Sequence, residues 1–141
     1  MKPLFIFGAL TLSNCFAEAG PISRIPAEDR VILKGAWTPT ADQTQKALEA
    51  VERSLQASVS ETAYNRESLL KIHSGKYDYR VQFKGERKDG RDFISCTFFL
   101  PSVIELHGKP FLNWRETGVM VYDAGYEFWW DRYYPDTGRV E

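Results

Sequence analysis

Apolar and polar residues alternate with period two from Tyr77 to Leu100, in two runs joined by Asp89-Gly90. An Asp-Gly pair between alternating runs is a strong hairpin signal, because a type I′ turn needs positive φ at both central residues. Placing Asp89 and Gly90 in the loop sets Lys88 opposite Arg91, Gly85 opposite Ile94, Phe83 opposite Cys96, Val81 opposite Phe98 and Tyr79 opposite Leu100. These residues share one nearly apolar face, since strand side chains alternate. Asp78, Arg80, Gln82 and Lys84 lie on the other face, with Phe93, Ser95, Thr97 and Phe99 from the second run. A slip of one residue would exchange the two faces, so the register is strongly specified.

Upstream the period changes. Thr44, Ala47, Leu48, Val51 and Leu55 recur at steps of three and four, which predicts an amphipathic helix of about 18 residues. Thr38-Pro39-Thr40 precedes it, with proline expected at the first helical position. Asp42, Lys46, Glu49, Glu52 and Arg53 fall on the outer side of this helix, and its apolar side is expected to cover the hairpin. Residues 20–36 hold two prolines and no helical period, and read as an extended arm with Val31-Ile32-Leu33 as a short buried piece. Leu69, Leu70 and Ile72 suit a short helix or turn. Residues 101–118 read as a long irregular loop pinned by Trp114.

Alternation resumes from Val119 to Tyr133, interrupted at Ala124-Gly125, where a bulge or bend is expected. Tyr126, Phe128, Trp130 and Arg132 then share one face, and Glu127, Trp129, Asp131 and Tyr133 the other. Tyr134-Pro135-Asp136-Thr137-Gly138 reads as a turn. The three residues after it suit a last strand that is cut short or completed by something else.

The first residues change the picture of compartment. Lys2, the apolar run Leu4–Leu12 and the small residues Ala17 and Ala19 have the layout of a signal peptide over 1–19, too short for a membrane span. Cleavage is expected after Ala19 or after Ala17. Cys15 sits in a lipoprotein-like context, but Asn14 stands where that motif wants a small residue, so simple cleavage is preferred to lipidation. About 120 residues remain, enough for one domain over 37–141 with one core. The net charge of −1 is unchanged by losing Lys2 and Glu18 together. No basic stripe exists to hold nucleic acid, and no integral membrane segment is expected after cleavage. Cys96 alone remains, so no internal disulfide can form, and the 14% aromatic content is expected to supply the packing instead. This combination fits a bacterial periplasmic or secreted domain.

Gly35-Ala36-Trp37-x-Pro39-Thr40 before an Ala/Leu-rich helix, Tyr79–Gly85 with the Asp89-Gly90-Arg91 turn, and Val121–Trp129 with the Tyr134–Gly138 turn carry a resemblance. Over residues 35–141 the chain resembles a family of small, exported, uncharacterised bacterial proteins. Ala124 stands where that family has a second glycine, and the family continues into a further strand. The resemblance implies a secreted α+β domain and brings no catalytic residues with it.

Candidate chemistry is sparse. His73 and His107 have no partner at ligand spacing, so neither a metal nor another cofactor is expected. Cys96 falls on the core face, where a buried structural thiol is expected rather than a nucleophile. Asp123 with Glu127, or Asp131 with Asp136, could pair for acid–base work. The aromatic run 126–134 is the most unusual stretch. One of its faces must point away from the helix, which leaves Trp129 and Tyr133 either exposed or covered by the 101–118 loop. Exposed Trp and Tyr beside Arg are the material of binding hot spots.

The expected fold is α+β: one main N-terminal helix on an antiparallel sheet of about four strands, with a cystatin-like layout as one realisation. The leading functional expectation is a non-catalytic module binding a protein, peptide or glycan through Trp114, Tyr126, Trp129, Arg132 and Tyr133. The alternatives are a small secreted hydrolase using carboxylates near Asp123 and Asp131, and an assembly subunit that exchanges strands at an open sheet edge.

Overall fold

A computed structural model of the chain describes residues 21–58, 66–107, 111–122 and 124–141. The expected signal peptide, with Cys15, lies outside the described residues. The element order is β1 (Arg30–Leu33), α1 (Ala41–Ser58), α2 (Arg66–His73), β2 (Arg80–Lys88), β3 (Arg91–Phe99), α3 (Pro101–His107), β4 (Phe128–Tyr134) and β5 (Arg139–Val140). The strands form one sheet in the order β1-β2-β3-β4-β5. This is an α+β fold, with one strand more than expected: β1, half-buried, joins the edge in parallel to β2.

The hairpin forms in the expected register, from Lys88 opposite Arg91 to Arg80 opposite Phe99. Asp89 has φ of 53° and Gly90 of 76°, the two positive values that a type I′ turn requires. Val81, Phe83, Ile94, Cys96 and Phe98 pack in one core with Ala47, Leu48, Val51 and Leu55 of α1. Hydrophobic burial of this face against the helix is the main favourable term in the fold. The start of α1 differs in detail from expectation. Thr40, not Thr38, is the cap: its Oγ1 accepts from Gln43 N at 3.1 Å, and Gln43 Oε1 accepts from Thr40 N at 2.9 Å. This reciprocal capping box satisfies two otherwise unpaired amides and leaves Pro39 just outside the helix.

Glu52, expected on the outer side of α1, is buried. Its carboxylate accepts from Ile22 N at 3.2 Å and from Ser23 Oγ at 2.7 Å. The N-terminal arm therefore lies over this flank of the helix, with Ile22 and Ile25 in the core. Arg30 ties the same arm down, donating to Ile25 O at 2.6 Å and to Gln45 Oε1 at 2.8 Å.

Two corrections concern the second half of the chain. Residues 101–118 are not a plain loop, since Pro101–His107 forms α3. Val119–Tyr122 is not paired in the sheet, and Gly125 (φ 56°) opens a 3-10 turn over Gly125–Glu127. The strand begins only at Phe128 and sets Trp129 beside Phe98 and Tyr133 beside Ile94. Trp129, Asp131 and Tyr133 thus face the helix, and Phe128, Trp130 and Arg132 face away, the reverse of the expectation.

Gly85 shows how tightly the N-terminal segment is fitted. Gly85 O accepts from Ala36 N at 2.8 Å, and Trp37 Nε1 donates to Glu86 O at 3.0 Å. A Cβ on Gly85 would lie 2.2 Å from Trp37 O, a backbone atom that cannot step aside alone. Gly85→Ala is expected to lower stability by about 1–3 kcal/mol through overpacking. Urea denaturation checks this, and Gly90→Ala at the open turn tip serves as the comparison for pure backbone strain.

Candidate functional site

The outer face of the sheet carries the Arg80, Gln82, Lys84 and Glu86 side of β2, and it is only partly covered. Phe99 and Phe128 form a second core with Val103, Ile104, Trp114 and Val119. Trp114 meets Phe99 edge-on at 5.6 Å, and the Arg115 guanidinium lies 4.4 Å from its ring centroid. A buried side chain of β2 helps to hold the segment carrying Trp114. Gln82, 2% exposed, donates through Nε2 to the carbonyls of Trp114 and Thr117 and accepts from Val119 N at 2.8 Å. A neutral amide suits this place because it has both donors and acceptor in one plane.

The cover stops there. Beyond Val119 the outer face opens into a groove of about 360 Å³ whose floor includes Lys84, Glu86 and Thr97, with Met120, Trp130 and Arg132 along it. Strand pairing builds it in rows: Gln82, Thr97 and Trp130 face one another across three strands, and Lys84, Ser95 and Arg132 form the next row. Trp130 is 48% exposed and Met120 54%. The Arg132 guanidinium lies 5.4 Å from the Trp130 ring centroid and 5.3 Å from that of Phe93. Lys84 Nζ pairs with Glu86 Oε1 at 3.3 Å.

A second recess, of about 260 Å³, lies on the helix side along β4. Leu55 of α1, Leu69 and Ile72 of α2, and Trp129 and Asp131 line it. The Asp131 side chain makes no hydrogen bond or ion pair among the described residues, and burial raises its pKa to about 7 from the ordinary 3.8. Burial likewise raises the Cys96 thiol, which faces Asp131 across the strands. A thiol held neutral in this way is not a nucleophile.

The five residues expected to bind are therefore divided. Trp114 and Tyr133 are buried, the first under the outer cover and the second against the helix. Trp129 stacks on Phe98 with ring centroids 3.9 Å apart, and so belongs largely to the core. Tyr126 lies beside Tyr77 at 5.0 Å and under Lys71 at 4.5 Å, away from the groove. Arg132 alone reaches the groove. Sequence reasoning missed Trp130, Met120 and Lys84. The available signal was the alternation itself, which placed Trp130 with Arg132 but did not say which face the helix would take.

The carboxylate pairs are not assembled by the described residues. Asp123 lies outside them, and no second carboxylate lines the recess of Asp131. Asp136 sits 3.8 Å from Arg91 at the hairpin tip. His73 ends α2, and the side chain of His107 lies outside the described set. Among the described residues no three His, Cys, Asp or Glu side chains form a metal-binding group. No helix of the described residues is long and apolar enough to cross a membrane.

Comparison with protein-family models, curated proteins and solved structures finds no match. The family resemblance and the cystatin-like layout accordingly rest on the sequence alone.

Two outcomes are expected from these contacts. Gln82→Leu strands two buried backbone groups, Trp114 O and Val119 N, each worth about 1–3 kcal/mol when unpaired, and the part-buried Thr117 O, and amide exchange at Val119 should accelerate before global unfolding does. Asp131 titrates higher in the folded chain than in the unfolded one, so protonation favours folding. Its contribution is complete below the ordinary carboxylate range and is lost as pH rises towards 7. Asp131→Asn should therefore exceed the wild type in stability by about 2–4 kcal/mol at pH 8. The gap should close by pH 4, as read from denaturation curves at the two pH values.

Proposed function

We propose that this chain is an exported, non-catalytic binding module that holds a polypeptide segment in the groove on the outer face of its sheet. The observation that carries this reading is Trp130, half-exposed, beside Arg132 and lining the groove together with Met120. A large ring left in water at the end of an apolar cover is available for burial by a partner. Trp and Arg are also the residues most enriched among binding hot spots. Lys84, Glu86 and Arg132 place charges of both signs along the same floor, which suits a chain of mixed charge better than a neutral glycan.

The groove is largely pre-formed. Its floor is a hydrogen-bonded sheet and its rim is fixed by Gln82, so little ordering is required on binding. The signal-peptide pattern of residues 1–19 and the resemblance over 35–141 support an exported setting. The hydrolase reading has no second carboxylate beside Asp131 among the described residues, and no observation favours it.

Trp130→Ala removes exposed surface and should change stability little, within about 1 kcal/mol. It should abolish binding in a screen of immobilised peptides probed in parallel with a glycan array. Retention of peptide binding by Trp130→Ala, or binding confined to glycans, would overturn the reading.

A further inference from the structure

Lys84 of β2, Ser95 of β3 and Arg132 of β4 are directly opposed and form one row on the outer face. Neighbouring strands lie about 4.8 Å apart, so the two basic side chains leave the sheet about 10 Å apart, with a hydroxyl between them. Their charges are not equivalent. Lys84 Nζ is met by Glu86 Oε1 at 3.3 Å. The Arg132 guanidinium makes no hydrogen bond or ion pair among the described residues, although Glu141 already occupies the place opposite it on the neighbouring strand. Its neighbours are aromatic instead, with the Phe93 ring centroid at 5.3 Å and that of Trp130 at 5.4 Å. Two rings hold the guanidinium in place and leave its N–H fork for a planar, bidentate acceptor. Of the three charged residues that line the groove, Lys84 and Glu86 pair with each other, so one positive charge is left for an occupant to meet.

We infer that the Lys84–Ser95–Arg132 row is a carboxylate subsite of the groove, and that the polypeptide held there places a glutamate or aspartate on it. This rests on the peptide-binding reading above and names the chemistry of the partner. The next row holds Gln82, Thr97 and Trp130, two residues or about 7 Å along the sheet. Two residues of an extended peptide span the same distance of about 7 Å and point to the same side. The acidic residue is therefore accompanied, two positions away, by a large apolar residue against Trp130 and Met120. A carboxylate matches the guanidinium fork with two parallel hydrogen bonds, and the Ser95 hydroxyl beside it is a further donor. A basic residue at this place would meet Arg132 as a like charge, and an apolar one would cover it without a partner.

The test is calorimetric titration of the protein with acetyl-Ser-Phe-Thr-Glu-Thr-Phe-Ser-amide and with the same peptide carrying glutamine in place of glutamate. An apolar residue on each side of the acid makes the result independent of the peptide's direction. The glutamate peptide should bind at least about tenfold more tightly at low salt, and that ratio should shrink as sodium chloride is added. Arg132→Gln should erase the ratio. Ser95→Asp, which keeps Arg132 beside its two rings and supplies an internal carboxylate, should erase it as well. Equal affinity of the two peptides for the wild type, with ¹⁵N shifts at Thr97, Met120 and Trp130, would end the carboxylate subsite and leave the peptide groove standing. A preference for glutamate that survives in Arg132→Gln would put the carboxylate elsewhere and overturn the inference. Binding of neither peptide would remove the peptide reading and this inference together. Tighter binding of a galacturonic acid oligomer than of the glutamate peptide would make an acidic glycan the occupant, and the inference would fail.

Discussion

The ladder between β2 and β3 is the constraint on which the rest of this molecule depends. Its register follows from a two-residue turn whose positive φ values admit Asp89 and Gly90, and from a face that must bury Val81, Phe83, Ile94, Cys96 and Phe98. Once that register is set, the inner face of the hairpin gives α1 a surface to cover. The outer face receives Gln82, Lys84 and Glu86 in a row, with Thr97 and Ser95 beside them. β1, β4 and the Trp37 segment are then all positioned against this one pair of strands.

Two side chains on opposite faces extend that order into parts of the chain that lack regular pairing. Glu52 draws the N-terminal arm onto α1, and Gln82 draws residues 114–119 onto the sheet. Both are buried polar groups that satisfy backbone atoms, and a buried polar group persists where its partners are complete. The Gln82 contacts also fix where the outer cover ends. Trp130 shares the row of Gln82 and Thr97 but lies two strands from Gln82, where the cover ends, and is left half-exposed.

Among the described residues, Asp131 is the one carboxylate that the fold places against its own interest. A charged group beside Leu55, Leu69 and Trp129 raises the free energy of the ionised state. Residues that break a local rule in this way are where function is expected to sit.

Much was legible in the sequence because local patterns decided it. The Asp-Gly turn, the hairpin register, the buried residues of α1 and the turn after Tyr134 each follow from periodicity or from backbone preferences that act over a few residues. The burial of Glu52, the parallel addition of β1 and the anchoring by Gln82 were not legible, since each joins segments about 30 or more residues apart whose meeting no local pattern encodes. The candidate site falls between these cases. Alternation put Trp130 and Arg132 on one face and Trp129, Asp131 and Tyr133 on the other, but two apolar faces of similar composition look alike in one dimension. Only the pairing of β4 with β3, which sets Trp129 against Phe98, decided which aromatic ring joined the core and which was left facing water.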